Sequence, residues 1–279
     1  GSSPAVGSLP RAAASMQLGD DWCEERAAEP LGLQPRGGQA SWDCALDATW
    51  DPRRAGPPGG CHSECWEALQ KQVKAAEATG NFVFAHRRLD GLAAVALAQY
   101  LRDDCRAKFV DISYLGRWGD CSLAAAAALK HGLRATRSLA LDGNDVGGCR
   151  EVLEAWCAAI REHPGLQRVS LRNTGLGDAG AALLAEALRR HSVLFSVDLG
   201  HNRIGDRGAA FIADAVAESH VILEVDLEDN DAGGAVRSRL AAVLERNRER
   251  FPGRGGAAEV LQGLRRARAA AQTSGSHLA

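Results

Sequence analysis

Three stretches of this chain align without gaps: LQRVSLRNTGLGDAGAALLAEALRR from Leu166, LFSVDLGHNRIGDRGAAFIADAVAE from Leu194, and ILEVDLEDNDAGGAVRSRLAAVLER from Ile222. They recur with a period of 28 residues, and no other feature constrains the fold as strongly. One such unit is too small to bury its own apolar face, so successive copies must stack and share a continuous core.

Within each copy the apolar residues first alternate and then recur at helical spacing. Val169 with Leu171, Val197 with Leu199 and Val225 with Leu227 mark a short strand of period two. Asn202 or Asn230 and then Gly177, Gly205 or Gly233 follow, residue types suited to tight bends. Ala182, Leu184, Ala185 and Leu188 then read as the apolar stripe of a helix. Upstream, the strand pairs recur at Leu139 with Leu141, Val110 with Ile112 and Phe82 with Phe84. This makes six units, with anchors 28, 29, 30, 28 and 28 residues apart. Asn144 keeps the turn asparagine, whereas Arg87, Leu115 and Thr174 replace it in three units. The pattern predicts an α/β solenoid of about six β-α units, with a parallel inner sheet and outer helices.

The LxxLxLxxNxIGDxGAxxLAxAL pattern, spanning residues 81–250, resembles a leucine-rich repeat of the ribonuclease-inhibitor subtype. Members of that family share a fold and protein binding, not a chemistry. The resemblance implies a non-catalytic protein–protein interaction module or scaffold subunit of a larger assembly. It also implies an alternative, a GTPase-activating or other regulatory factor resembling the Ran GTPase-activating protein, although no catalytic arginine can be matched residue by residue.

Net charge is −2, which by itself calls for neither nucleic acid nor membrane. No apolar run approaches the ~20 residues needed to span a bilayer. Of eight cysteines, Cys105, Cys121, Cys149 and Cys157 fall inside repeats, where a small apolar side chain fits, so reduced thiols and a cytoplasmic setting are expected. A cytoskeletal or ciliary assembly, or an organelle after removal of a transit peptide, fits the same composition. The chain starts at Gly1 and its one methionine is Met16, as expected of a processed chain or a fragment.

Residues 1–60 are rich in Gly, Pro and Ala and lack a sustained period, so an extended or irregular tail is expected. Trp22, Trp42 and Trp50 within it predict docking, either on the chain's own first repeat or on another subunit. Residues 61–80 contain SECWEALQKQVKAAEA, an amphipathic helix that would cap the first repeat through Trp66 and Leu69, with Ser63 as N-cap. In 251–279, Pro252 and neighbouring glycines break the last repeat helix. A short helix near Ala257–Ala271 follows, with Arg265, Arg266 and Arg268, and would either cap the C-terminal end or reach an acidic partner.

Cys61, His62 and Cys65, with the distant Cys23 and Cys44, supply only one of the two close ligand pairs usual for zinc, so no metal and no cofactor are expected. His131, His163, His191 and His220 fall at the ends of repeat helices, where they serve the last carbonyls. HExxH, GxxxxGK[ST] and GxSxG are all missing, so no enzymatic activity is predicted. The candidate site is the concave sheet face, carrying Asp111, Tyr114, Asp142, Arg168, Arg172, Asp198, His201, Glu224, Asp226, Glu228 and Asp229. Its last two repeats are acidic, a field that would steer a partner protein with a basic surface.

Overall fold

The computed structural model describes residues 63–87, 104–115, 133–189, 191–251 and 256–276, together with Ala126 and a few helical positions between 97 and 102. The predicted tail with Trp22, Trp42 and Trp50 lies outside the described residues, as do Cys61, His62 and His131. Helix α1 (Ser63–Thr79) opens the described chain, buries Leu69, Val73 and Ala76, and packs on the first strand.

Six strands follow in chain order: β1 (Asn81–Val83), β2 (Phe109–Asp111), β3 (Ser138–Ala140), β4 (Arg168–Ser170), β5 (Ser196–Asp198) and β6 (Glu224–Asp226). They form one parallel sheet in sequential order. Phe82, Val110, Leu139, Val169, Val197 and Val225 stand side by side across it, so the anchors deduced from periodicity are register partners. The two longer spacings leave this register untouched, because the extra residues fall between one turn and the next strand.

The outer layer contains α2 (Arg150–Glu162), α3 (Gly177–Arg189), α4 (Asp206–Ser219) and α5 (Gly234–Arg250). Each sends an apolar stripe inward; in α4 it comprises Ala209, Ile212, Ala213, Ala215 and Val216. The strand anchors from Phe82 to Val197 are at most 1 % exposed. Each buried Val or Leu contributes about 1.5–3 kcal/mol through loss of apolar surface from water. His163 and His191 sit just past the ends of α2 and α3, but their rings bond the preceding unit's Leu133 carbonyl and the Leu194 N–H instead of the last carbonyls of their own helices. His163 Nε2 meets the Leu133 carbonyl at 2.7 Å while Nδ1 accepts the Gly165 N–H at 3.2 Å, an arrangement that requires the neutral ring with its proton on Nε2.

The turns are completed by the following repeat. Asn202, fully buried, donates from Nδ2 to the Leu171 and Leu199 carbonyls at 2.7 and 3.0 Å. Its Oδ1 accepts the Thr174 and Leu176 N–H groups of the preceding unit at 2.9 and 3.3 Å. Asn144 serves Leu115 and Ile112 in the same way, and Asn230 serves Asn202 and Ile204. Where asparagine is replaced by Thr174, the hydroxyl reaches the Leu171 carbonyl at 2.7 Å. Leu115 is simply buried in the core. The Gly-Asp pairs at the helix starts have a further role: Asp178 Oδ1 accepts the N–H groups of Gly205 and Gly208 at 2.7 and 3.0 Å, and Asp206 accepts that of Gly233 at 2.6 Å. A carboxylate in one helix's first turn thus caps the next helix, which favours negative charge at its N-terminus.

Helix α6 (Gly256–Ser276) is longer than the predicted 257–271 segment. Its Ala257 and Leu261 pack on Leu223 with Phe195 and Phe251, the last two rings edge-to-face at 5.5 Å. The helix contacts both α5 and β1, so it runs back across the sheet instead of closing the end of the core at β6.

Candidate protein-binding face

Side chains alternate across each strand, so residues flanking the core anchors project from the sheet face opposite the helices. In one row the register places Asp111, Ala140, Ser170, Asp198 and Asp226 side by side; in another, Ser138, Arg168, Ser196 and Glu224. The predicted residues are therefore brought onto one face, with unequal exposure. Asp111, Asp142, Arg168 and Asp198 are buried, whereas Tyr114, His201, Glu228 and Asp229 are exposed.

Several of these acids have structural partners that periodicity does not reveal. Oδ1 of Asp111, Asp198 and Asp226 accepts the N–H two residues on, from Ser113, Gly200 and Glu228, at 3.1, 3.1 and 2.8 Å. These are turns in which the aspartate side chain stands in for a backbone carbonyl. Asp142 Oδ1 accepts the Arg172 N–H from the neighbouring unit at 3.0 Å.

Arg172 organises the acidic end. Its Nη1 lies 3.6 Å from Asp198 and 3.5 Å from Asp226, and Nη2 donates to Glu228 at 2.6 Å. The guanidinium rests on Gly200, where a Cβ would come within 2.5 Å of Nη1. At the other row, Glu224 receives Ser196 Oγ at 2.9 Å and faces Arg168 at 3.8 Å, and it is paired with Arg265 of α6. Burial works to raise the Glu224 carboxyl, but the bonds from Arg265 and Ser196 outweigh it and hold the group below the ordinary glutamate range. Asp226, Glu228 and Asp229 keep exposed carboxylate surface at the rim, with His201 Nε2 at 3.0 Å from Asp229.

A second row runs along the strand ends. His86, Tyr114, Gly143, Asn173, His201 and Asp229 all have φ between 51° and 68°. In all but Asp229 the N–H continues the sheet ladder, as in Tyr114 to the Asp142 carbonyl at 2.6 Å and His201 to that of Glu228 at 2.9 Å. Tyr114 stacks on His86 at 4.6 Å and covers Gly143, a position where any Cβ would strike the ring. It is 41 % exposed, a large aromatic surface open to solvent.

Among the described residues no group of His, Cys, Asp and Glu is arranged to hold a metal ion, and no helix is long and apolar enough to cross a membrane. Cys105 and Cys157 are buried free thiols; burial pushes Cys157 up to about 12, whereas Cys149 is exposed.

A family model described as "Leucine Rich repeat" matches residues 192–213, one turn of the repeat deduced above. The chain folds as a leucine-rich-repeat solenoid. No curated protein matches it in sequence. Among solved structures, it is similar to leiomodin-1 actin-binding site 2, at 16 % identity and a TM-score of 0.37, covering 53 % of this chain and 96 % of that one. It is also similar to a tropomodulin C-terminal domain of Caenorhabditis elegans, at 17 % identity and a TM-score of 0.33, covering 46 % and 94 %.

Proposed function

We propose that this leucine-rich-repeat chain, of the ribonuclease-inhibitor subtype, is a non-catalytic protein-interaction module that serves as a scaffold subunit in a cytoplasmic assembly. The observation that carries this reading is the rim of β5 and β6. Asp226, Glu228 and Asp229 present exposed carboxylates there that Arg172 only partly neutralises. A field of that sign on a solvent-facing sheet accelerates encounter with a basic protein surface and makes binding salt-sensitive. Exposed Tyr114 at the other end of the same face supplies an aromatic anchor of the kind enriched at interfaces.

The test is affinity capture with the full chain in parallel with a triple Asp226→Lys, Glu228→Lys, Asp229→Lys variant, each over a series of salt concentrations. The expected result is a set of partners held at low salt, released as salt rises, and lost from the variant. Identical partners with identical salt dependence for the two proteins would overturn the reading.

A further inference from the structure

The solenoid is closed at β1 and open at β6. Five of the six strand anchors are sealed in the core, but Val225 of β6 is partly exposed. α5 buries only Leu240, Leu244 and Asn247, against six residues in α4. Between strand and helix lies a groove of about 460 Å³, whose apolar lining is Val225, Leu227, Leu240, Ala241 and Leu244. The cluster formed by α6 covers Leu223 instead, at the other end of the strand.

The backbone at this edge is asymmetric. In each earlier repeat, one N–H just past the strand donates to the next unit: Phe84 to Asp111, Ile112 to Ala140, Leu141 to Ser170, Leu171 to Asp198 and Leu199 to Asp226. The αL residue then donates one register step later, His201 to Glu228 being the last. The equivalent donors of the final unit are Leu227 and Asp229, and neither has a partner among the described residues. Of the acceptors along this edge, the Leu223 carbonyl is taken by Arg248 Nε at 2.9 Å, whereas that of Val225, counterpart of Val197, has no partner among the described residues. The edge thus offers open N–H groups beyond the strand and an open carbonyl within it, the alternation that a parallel strand requires. The carboxylates of Glu224, Asp226 and Glu228 flank it and select positive side chains.

We propose that β6 is a strand-addition site, taking an extended, basic segment of a partner protein as a seventh parallel strand. The segment's carbonyls would accept from Leu227 and Asp229, and an apolar side chain would enter the groove beside Val225. This surface is the edge of the sheet and shares Asp226 and Glu228 with the inner face proposed above.

The chain supplies its own probe. A capped peptide of residues 166–174 (LQRVSLRNT), set beside β6 in the sheet's repeating register, places Val169 next to Val225, Arg168 by Glu224 and Arg172 by Glu228. It is titrated into the isotopically labelled full chain and followed by backbone amide NMR. The expected result is saturable shifts at Leu227 and Asp229, weakened about tenfold or more by Ala241→Arg, which fills the groove with a like charge, and by replacing both peptide arginines with glutamate. Ala241 is exposed on α5 but shares the groove with Asp226 and Glu228, so the proposal is read at the Leu227 and Asp229 amides and not by the partner capture described above, which can fail independently. No shift at those two amides, or equal shifts in the Ala241→Arg chain, would overturn the proposal. Concentration-dependent dimerisation through the same amides without peptide would overturn it in favour of a second copy of the chain as occupant.

Discussion

Replacing Asn202 with alanine tests the claim that each turn is completed by its successor. The side chain is fully buried, and its removal has unequal consequences for its partners. The Leu171 carbonyl keeps Thr174 Oγ1 at 2.7 Å, and the Leu199 carbonyl keeps Asn230 Nδ2 at 2.8 Å, so both acceptors remain satisfied. The Thr174 and Leu176 N–H groups lose Oδ1 and have nowhere else to go. A buried donor left unpaired costs about 1–3 kcal/mol, so Asn202→Ala should cost roughly 3–5 kcal/mol, a large share of a typical domain's stability. Asn230→Ala is the control. It removes a side chain that is itself only half-buried, so water can take its place beside the Asn202 and Ile204 N–H groups, and about 1–2 kcal/mol is expected. Urea unfolding followed by circular dichroism reads both, with the slope checked against wild type because repeat arrays depart from two-state behaviour. A cost under about 1 kcal/mol for Asn202→Ala, or an equal cost for the two variants, would refute the reasoning.

Two glycines at close approaches should respond unequally to alanine. At Gly147 a Cβ would lie 2.3 Å from the Gly175 carbonyl oxygen, rigid backbone of the next repeat, so a loss of several kcal/mol in urea unfolding is expected; at Gly200 it meets the mobile end of Arg172, and less than about 1 kcal/mol should be lost. Burial holds His163 and His191 below the ordinary histidine range, so the unfolded chain binds more protons and stability should fall as pH drops through the unfolded value and toward the folded one. Unfolding midpoints from pH 8 to 5 should show this decline, and it should flatten in a His163→Gln, His191→Gln chain, where an undiminished slope would count against the assignment.

Much of the fold was legible because a strand of period two followed by a helical stripe leaves little freedom, and six apolar anchors from Phe82 to Val225 became register partners. Unequal spacing leaves the register intact, since the extra residues fall after the turn positions Leu115 and Asn144 and before the next strand. The site was legible only as a face. Alternation places Asp198 and Asp226 on it, but not that each spends an oxygen on its own turn. The reach of Arg172 across two strands to Glu228, 56 residues away, depends on rotamers and on the missing side chain at Gly200. The caps formed by Asp178 and Asp206 were hidden because a Gly-Asp pair reads as an ordinary turn until the next helix lies beside it. Helix α6 was found by composition, but its path toward β1 depends on contacts that no local pattern encodes.

The asparagine that finishes a turn always belongs to the unit made later. Thr174 waits for Asn202, and Asn202 waits for Asn230. On the ribosome this imposes a lag: a repeat that has fully emerged still holds unpaired buried donors until its successor is synthesised and folds against it. Assembly of this part of the chain therefore trails translation by about one repeat, and a stop just after the unit of Leu115, Thr174 or Asn202 leaves that unit unfinished at the very turn its missing neighbour would have closed.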